Sequence, residues 1–389
     1  MNNWDKIAGM KREEQKKMQD KKLREFISGR LYPFSPYYRA LFDKHKIKPE
    51  KIKTVKDLAC VPFTSKTDFL PTKENPKVSR DFILQPSEEL IKKYCGKPEL
   101  LKLAAIKILK GKQYLEHRLT KEYRPLSLTL TTGTTNMPVS FFYSYHDIEA
   151  LKAAGYRMME VFGAKGYNKA VNLFPYAPHL AFWQVFFGGI QHEDFVLSTG
   201  GGKVMTTPNN VEAIMKIAPS FVIGEPSFVY HVIRYAHDNK KDFSFLKKVV
   251  LGANMVPPGF KRKIASLLSN MGAADVNILG TYGFTEAKYA WGECPTLIDV
   301  SSGYHTYPDM EIFEVIDPST GRVLDEGEDG ELVYTSINGR GSCVFRYRTG
   351  DLVKGGIIYA PCPHCGRTVP RISSNISRAS NIKDMMLSK

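Results

Sequence analysis

The chain reads as an α/β protein of layered sheets and helices, with a smaller β subdomain after residue 300. Three observations carry this. From residue 125, short β-branched runs alternate with helix-period segments, the signature of a sheet covered by helices. After residue 300 the texture becomes strict alternation, in Glu311-Ile312-Phe313-Glu314-Val315-Ile316 and Gly330-Glu331-Leu332-Val333-Tyr334-Thr335, as half-buried strands require. A length of 389 residues, 43% hydrophobic and 12% aromatic, suffices for a large core divided into two or three lobes.

Taken in order, residues 12–29 have the pattern of a charged amphipathic helix ending near Gly29. A second helix spans 36–46, with Ser35 as its cap and Pro36 in its first turn, where proline lacks only an N–H that has no partner anyway. Short helices at Val55 to Leu58 and Lys66 to Leu70 flank the turn Val61-Pro62-Phe63-Thr64-Ser65, and the Lys-rich stretch 84–122 is a helical surface insertion. Ser127 to Thr131 and Phe141 to Tyr143 are strands, and 146–162 is a helix. Further strands follow at Ala170 to Phe174, Phe221 to Ile223, Lys248 to Leu251 and Val276 to Leu279. Helices at 180–188, 209–217, 227–238 and 257–271 separate them. The turn Pro318-Ser319-Thr320-Gly321 joins the alternating strands. The chain thus divides into an N-terminal helical region (1–124), an α/β core (125–300), a β subdomain (301–375) and a tail (376–389).

The formal charge is +15, much of it before residue 125. A basic field suits nucleotides, coenzyme phosphates, anionic membrane or nucleic acid. No aromatic-interleaved nucleic-acid motif accompanies it, so nucleic acid is not an expected partner. A solvated basic surface is the plainer reading. No apolar run is long enough to span a bilayer, and residues 1–30 have no signal-peptide core, which makes the cytoplasm the default. The six cysteines do not form a disulfide framework of the secreted type.

Four motifs carry chemistry. Leu128-Thr129-Leu130-Thr131-Thr132-Gly133-Thr134-Thr135-Asn136-Met137-Pro138 ends a strand in clustered hydroxyls around one glycine. These are the parts of a phosphate cradle, although a Thr-rich turn is also a common hairpin loop. Gly280-Thr281-Tyr282-Gly283-Phe284-Thr285-Glu286 follows a buried strand, where ligands of α/β sheets bind. Tyr347-Arg348-Thr349-Gly350-Asp351-Leu352-Val353 is the third. Val249-Val250-Leu251-Gly252-Ala253-Asn254, a strand with a small-residue turn, is the fourth. Each alone has a plain explanation as a turn, and Glu286 as a helix N-terminal acid.

In this order and spacing the motifs resemble the adenylate-forming superfamily of acyl-CoA synthetases, adenylation domains and luciferases. The resemblance implies that Thr131, Thr132, Gly133, Thr134 and Thr135 hold ATP phosphates. Tyr282 and Gly283 face the adenine, with Gly252 and Ala253 on its other side. Thr285 bonds the α-phosphate, Glu286 holds Mg2+, and Asp351 and Arg378 approach the ribose. A carboxylate beside polyphosphate requires a divalent cation between them, and paired hydroxyls match an acceptor-only carboxylate. Ser35-Pro36-Tyr37-Tyr38-Arg39, Ile47-Lys48-Pro49, Leu58 to Lys66 and Phe313 to Pro318 are similar to the phenylacetate–CoA ligase branch. The implied activity is ATP-dependent formation of an acyl-adenylate from an aryl or medium apolar acid, then transfer to coenzyme A. Other acceptors (a protein thiol, a carrier, a cofactor hydroxyl) stay open, as does a nucleotide-binding module without turnover.

The departures are specific. Asn136 stands where glycine is usual and Val139 where many members carry lysine, so phosphate binding leans on hydroxyls and backbone. Phe174 to Trp183 departs from the phenylacetate pattern. The acid pocket is placed at Tyr176, His179, Phe182 and Gly280, although aromatics at helical spacing also build cores. Gly200-Gly201-Gly202 reads equally as a pocket border or a plain loop. Residues 371–386 resemble the hinge before the family's mobile C-terminal domain, with Ser380 and Asn381 where acids are usual. That domain and its lysine are expected to be absent, and Lys389 does not replace the lysine. Oligomeric state is open, and a homodimer is compatible with the sequence.

Cys362-Pro363-His364-Cys365 is half of a tetrahedral zinc site. Related ligases suggest the other half, giving structural Zn2+ on Cys294, His305, Cys362 and Cys365. His364 is a competing ligand, and a pair of free thiols is the plain alternative.

Overall fold

The computed structural model describes residues 3–131 and 138–378. The antiparallel strands β1 (Pro125–Leu130) and β2 (Ser140–Ser144) pair with each other. The central sheet contains β3 (Lys169–Asn172), β4 (Phe195–Ser198), β5 (Phe221–Gly224), β6 (Lys248–Leu251), β7 (Asn277–Gly283) and β8 (Ala290–Gly292). Their order is β4-β3-β5-β6-β7-β8, parallel except for β8. Val171, Val222, Val249 and Leu251 are fully buried, as strands covered on both faces must be. The half-exposed edge strand β4 does not stand out in the sequence, and β7 runs on past its expected end at Leu279 to Gly283. The chain leaves β3 outward to β4 and returns on the other side to β5. That reversal opens a crevice at the carboxyl ends of β3 and β5.

Helices cover the sheet. Tyr145–Val161 starts at a capping box formed by Ser144 and Asp147, and packs on Leu180–Gln191. Their backbones meet at Gly155 and Gly188, where a methyl group on either glycine would overlap the other. Thr207–Ile217, Pro226–Asp238 and Pro258–Ser269 each carry proline in the first turn, where it costs no hydrogen bond.

The later strands are β9 (Tyr304–His305), β10 (Glu311–Ile316), β11 (Gly330–Ser336), β12 (Tyr347–Lys354), β13 (Ile357–Ile358), β14 (Arg371–Ile372) and β15 (Asn375–Arg378). They form the sheets β10-β11-β12-β15 and β13-β14-β9. The Tyr347–Asp351 motif is therefore part of a strand, with Gly350 at φ +73°, a backbone conformation that glycine adopts without strain. The β11–β12 register shifts between Glu331 and Val333, a bulge that re-aims neighbouring side chains.

At the N-terminal side, Arg12–Phe26 continues into the π-helical turn Ile27–Leu31, past the expected end at Gly29. Pro36–Lys44 is capped by Ser35, whose Oγ accepts from Tyr38 N at 3.3 Å. The expected short helices are the 3-10 turns Val55–Cys60 and Lys66–Phe69, each closed by a capping box. The basic stretch forms helices Glu88–Tyr94, Lys97–Lys110 and Lys112–Tyr123. Residues between Trp4 and Gln19 pack against the segment from Tyr307 to Thr368. Trp4 meets Tyr307 edge-on, with ring centroids 5.8 Å apart. Gln15 Nε2 donates to Thr368 O at 3.0 Å, Thr368 N donates to Ala8 O at 2.8 Å, and Arg12 lies 3.6 Å over the Tyr359 ring. No helix among the described residues is long and apolar enough to cross a membrane.

Candidate active site

The candidates Gly252, Ala253, Gly280, Tyr282, Gly283, Thr285, Glu286, Asp351 and Arg378 stand at or just past the carboxyl ends of β6 and β7 and on β12 and β15. Gly252 and Ala253 follow β6. Ala253 is held at φ +76°, and Gly252 is required because a Cβ there would strike Thr281 Oγ1. Gly280, Tyr282 and Gly283 end β7, and Thr285 and Glu286 form the next turn, Thr285–Ala287.

Tyr282 Oη donates to Asp351 Oδ2 at 2.8 Å, and Arg378 Nη1 lies 3.1 Å from Asp351 Oδ1. Arg378 also donates to Thr349 O at 2.7 Å. These bonds tie β7, β12 and β15 across the site. Burial pushes the Asp351 carboxyl above its ordinary range, against the pull of Arg378 and Tyr282. Burial, and then Asp351, raise the Tyr282 hydroxyl well above its usual value. Tyr347 Oη donates to Glu286 Oε1 at 2.9 Å. Tyr347 belongs to a recognised motif, but its aim at Glu286 follows only from the register of β12.

Tyr282 rests on Trp291, with centroids 5.8 Å apart and 28° between the planes. Trp291 Nε1 donates to Glu311 Oε1 at 2.7 Å, and Tyr307 N donates to the same oxygen at 2.6 Å. Burial pushes Glu311 up to about 8. Neither residue stands out in the sequence, because a buried glutamate has no pattern of its own.

Thr131 is buried at the loop mouth, where its Oγ1 accepts from Val139 N at 3.0 Å and its N–H donates to Val139 O at 3.1 Å. It clamps the two ends of the Thr-rich loop. Thr132, Gly133, Thr134 and Thr135 lie outside the described residues. The strands on either side of the loop are antiparallel neighbours, as in a hairpin. His179 Nδ1 lies 3.1 Å from Leu130 O. A carbonyl only accepts, so Nδ1 carries the proton and links the aromatic segment to that loop. Phe182 is buried while Tyr176 is 65% exposed, their rings 5.3 Å apart. Tyr176 N donates to Gly200 O at 3.2 Å. Beside them, Thr129, Tyr143, Leu180, Trp183 and Phe187 line an apolar cavity of about 100 Å3. Gly280 lies against Glu293, whose Oε2 accepts from Gly280 N at 2.6 Å and from Lys261 Nζ at 2.7 Å.

Apart from this, the ligand atoms of Cys294, His305, Cys362 and Cys365 lie within 4.8 Å of one another. Cys365 Sγ is 3.3 Å from His305 Nε2, and Cys294 Sγ is 3.7 Å from Cys362 Sγ. His305 Nδ1 faces Gly292 O at 3.3 Å. The carbonyl fixes the proton on Nδ1 and leaves Nε2 free as a ligand, the usual arrangement of a metal-binding histidine. Hydrogen bonding to Cys294 holds the Cys362 and Cys365 thiols below their ordinary range. Residues from three segments therefore converge with the donor set of a closed tetrahedral site. His364 is not part of this cluster.

Residues 39–345, more than half of the chain, match the model of the AMP-binding enzyme family. The chain belongs to that family. Among AMP-binding relatives, the phenylacetate-coenzyme A ligase of Thermus thermophilus is 23% identical over 381 residues, covering 97% of this chain and 73% of that protein. The enzymes of the same name from Aromatoleum evansii and Pseudomonas putida are each 24% identical, over 327 and 330 residues. They match 83% of this chain, which spans 62% and 63% of their respective lengths, less than two thirds. A solved 2-hydroxyisobutyryl-CoA ligase, in complex with 2-HIB-AMP and CoA, superposes with a TM-score of 0.75 at 19% identity, over 96% of this chain and 70% of that one. A long-chain-fatty-acid-CoA ligase from Archaeoglobus fulgidus gives a TM-score of 0.51 at 19% identity, over 67% of this chain and 53% of that one. The AMP-binding fold is thus shared with CoA ligases.

Proposed function

We propose that this chain binds ATP beside β7 and activates a carboxylic acid as its acyl-adenylate, with coenzyme A as the following acceptor. The observation that carries the reading is the Tyr282–Asp351–Arg378 assembly next to Glu286. It offers an aromatic ring and a buried carboxylate suited to vicinal hydroxyls, with a second carboxylate, Glu286, held by Tyr347 of the same strand as Asp351. Asp351 accepts from the ribose hydroxyls while Arg378 holds it in place. The Thr-rich loop and Thr285 donate to phosphate oxygens, where negative charge develops during attack at the α-phosphorus. Glu286, with one oxygen bonded to Tyr347, suits Mg2+, which would neutralise the polyphosphate when bound.

We place the acid at the apolar cavity lined by Trp183 and Phe187, whose lining favours an aryl or medium apolar group. Its carboxylate oxygen attacks the α-phosphorus and pyrophosphate leaves. The thiol sulfur of coenzyme A then attacks the acyl carbon and AMP leaves. The names of the phenylacetate relatives support this substrate class. The four-residue Cys/His cluster we assign to structural zinc, because its donors are soft, mutually close and already oriented.

The test is acid-dependent exchange of pyrophosphate into ATP across a panel of aryl and aliphatic acids, followed by thioester detection with coenzyme A. Asp351→Ala should weaken ATP binding at least roughly tenfold, the scale of a lost charge-assisted hydrogen bond pair. Unchanged ATP affinity in that variant would remove the ribose assignment. Exchange without a CoA thioester would move the acceptor to a protein thiol, a carrier or a cofactor hydroxyl. ATP binding without exchange for any acid would leave a binding module.

A further inference from the structure

We propose that the helical hairpin formed by Lys97–Lys110 and Lys112–Tyr123 is a docking face for an anionic lipid bilayer. The inference does not rest on the chemistry assigned to the nucleotide site.

Lys97–Lys110 has no buried residue, yet nine of its positions are apolar or proline. At 3.6 residues per turn its side chains fall on two faces. Leu100, Leu103 and Ile106 are half-buried on the side of the following helix. Leu101, Ala104, Ala105, Ile108 and Leu109 occupy the other side, at spacings i, i+3, i+4, i+7 and i+8, and all five are exposed. Leu101 is 71%, Ile108 82% and Leu109 81% exposed. Isolated exposed leucines are ordinary. A continuous stripe over the length of a helix is not, and marks a surface made to be covered.

The charges around the stripe select what covers it. Residues 92–124 carry ten lysines and arginines against three glutamates. Lys97 and Lys102 border the stripe, and Lys107 and Lys110 stand further round the helix, all four exposed, with aliphatic stems that can lie along apolar surface while the ammonium reaches outward. At the hairpin tip, Gly111 at φ +87° reverses the chain, and Lys110 Nζ lies 4.8 Å over the half-exposed Tyr114 ring. An apolar strip rimmed by lysines, with a tyrosine at its end, matches a surface that is apolar inside and anionic at its boundary. That is the pattern of a helix lying in a bilayer interface. A second copy of this chain would instead place two basic rims against each other.

The experiment is cosedimentation of the full chain with vesicles of phosphatidylcholine alone and of phosphatidylcholine mixed with phosphatidylglycerol. Binding is expected to the mixed vesicles only, with release at about 0.5 M salt, where charges are screened beyond a few ångströms. Leu101→Glu/Ile108→Glu/Leu109→Glu should lower vesicle affinity by roughly tenfold or more. Its melting temperature should be unchanged, since the replaced side chains are exposed. Lys102→Glu/Lys107→Glu/Lys110→Glu should lower affinity to a similar extent through charge alone. Absence of wild-type binding to the mixed vesicles overturns the proposal, as does equal binding to neutral ones or wild-type affinity in both variants. A wild-type dimer that the triple leucine/isoleucine variant makes monomeric, without vesicle binding, overturns it in favour of self-association.

Discussion

Replacing Asp147 by asparagine should destabilise the fold by about 3–5 kcal/mol, the cost of leaving one member of a buried ion pair alone. Asp147 is 3% exposed and lies 2.9 Å from Lys288 Nζ. It also accepts from Ser144 N at 2.8 Å, Gly341 N at 2.7 Å and Arg340 N at 3.1 Å. One carboxylate thus joins the start of helix Tyr145–Val161, the loop before β12 and the segment just past Glu286. Burial alone would raise its pKa, but Lys288 and the backbone N–H groups outweigh burial and hold it at about 2, against an ordinary 3.8. That gap corresponds to about 2 kcal/mol of stability. Because the folded value is the lower one, this stability is fully present above about pH 4 and is lost as pH falls through about 2. Guanidinium denaturation at neutral pH, followed by tryptophan fluorescence, gives the cost of Asp147→Asn. Adding Lys288→Met should recover much of the loss, since the uncompensated buried ammonium is then gone. A loss under about 1 kcal/mol, or no recovery in the double variant, would refute the argument.

Glu311→Gln should act in the opposite direction. With its pKa raised by burial to about 8 from an ordinary 4.5, Glu311 contributes a stability loss that grows between about pH 4.5 and pH 8. The variant's advantage in thermal melts should therefore widen over that interval and then level off, reaching on the order of a few kcal/mol. Gly155→Ala should cost about 1–3 kcal/mol in denaturant unfolding, because the methyl group must push apart two helices in backbone contact at Gly188. Protein purified without chelator should contain one zinc per chain by elemental analysis. Cys362→Ser should lower that content and the melting temperature together; zinc-free wild-type protein of unchanged melting temperature would count against the assignment.

Much of this arrangement is legible before any coordinates. The buried strands β5 and β6 appear as continuous apolar runs, and β10 and β11 are legible as strands; their alternation predicts one solvated face, but both faces are buried because Glu314 and Glu331 pair with Arg346 and Arg348. The Ser35 cap with Pro36 is legible for a local reason, since both residues act within one turn. What escapes is set by long-range pairing. β12 has a polar sequence, because Arg348 and Asp351 serve ion pairs with Glu331 and Arg378, and its glycine masks the alternation. β4 has only four residues at a half-exposed edge. The Trp291–Glu311 support beneath Tyr282 joins residues twenty apart, and nothing local distinguishes that glutamate from a solvated one. The cysteine and histidine residues are identifiable by type, but only the sheet β13-β14-β9 and the knuckle bring them within reach of one another.

The bonds between Gln15 and Thr368, and between Thr368 and Ala8, span 353 and 360 residues. During synthesis, at about 5–20 residues per second, the later partner follows the earlier one by roughly 20–70 seconds. Throughout that interval Gln15 lacks its Thr368 partner, and Trp4, which packs edge-on against Tyr307, waits nearly as long for that ring. The α/β core can be assembled while these residues still wait. The moment at which these contacts close is therefore set by translation, and the indole of Trp4 is where a nascent-chain chaperone or a premature neighbour would find waiting apolar surface.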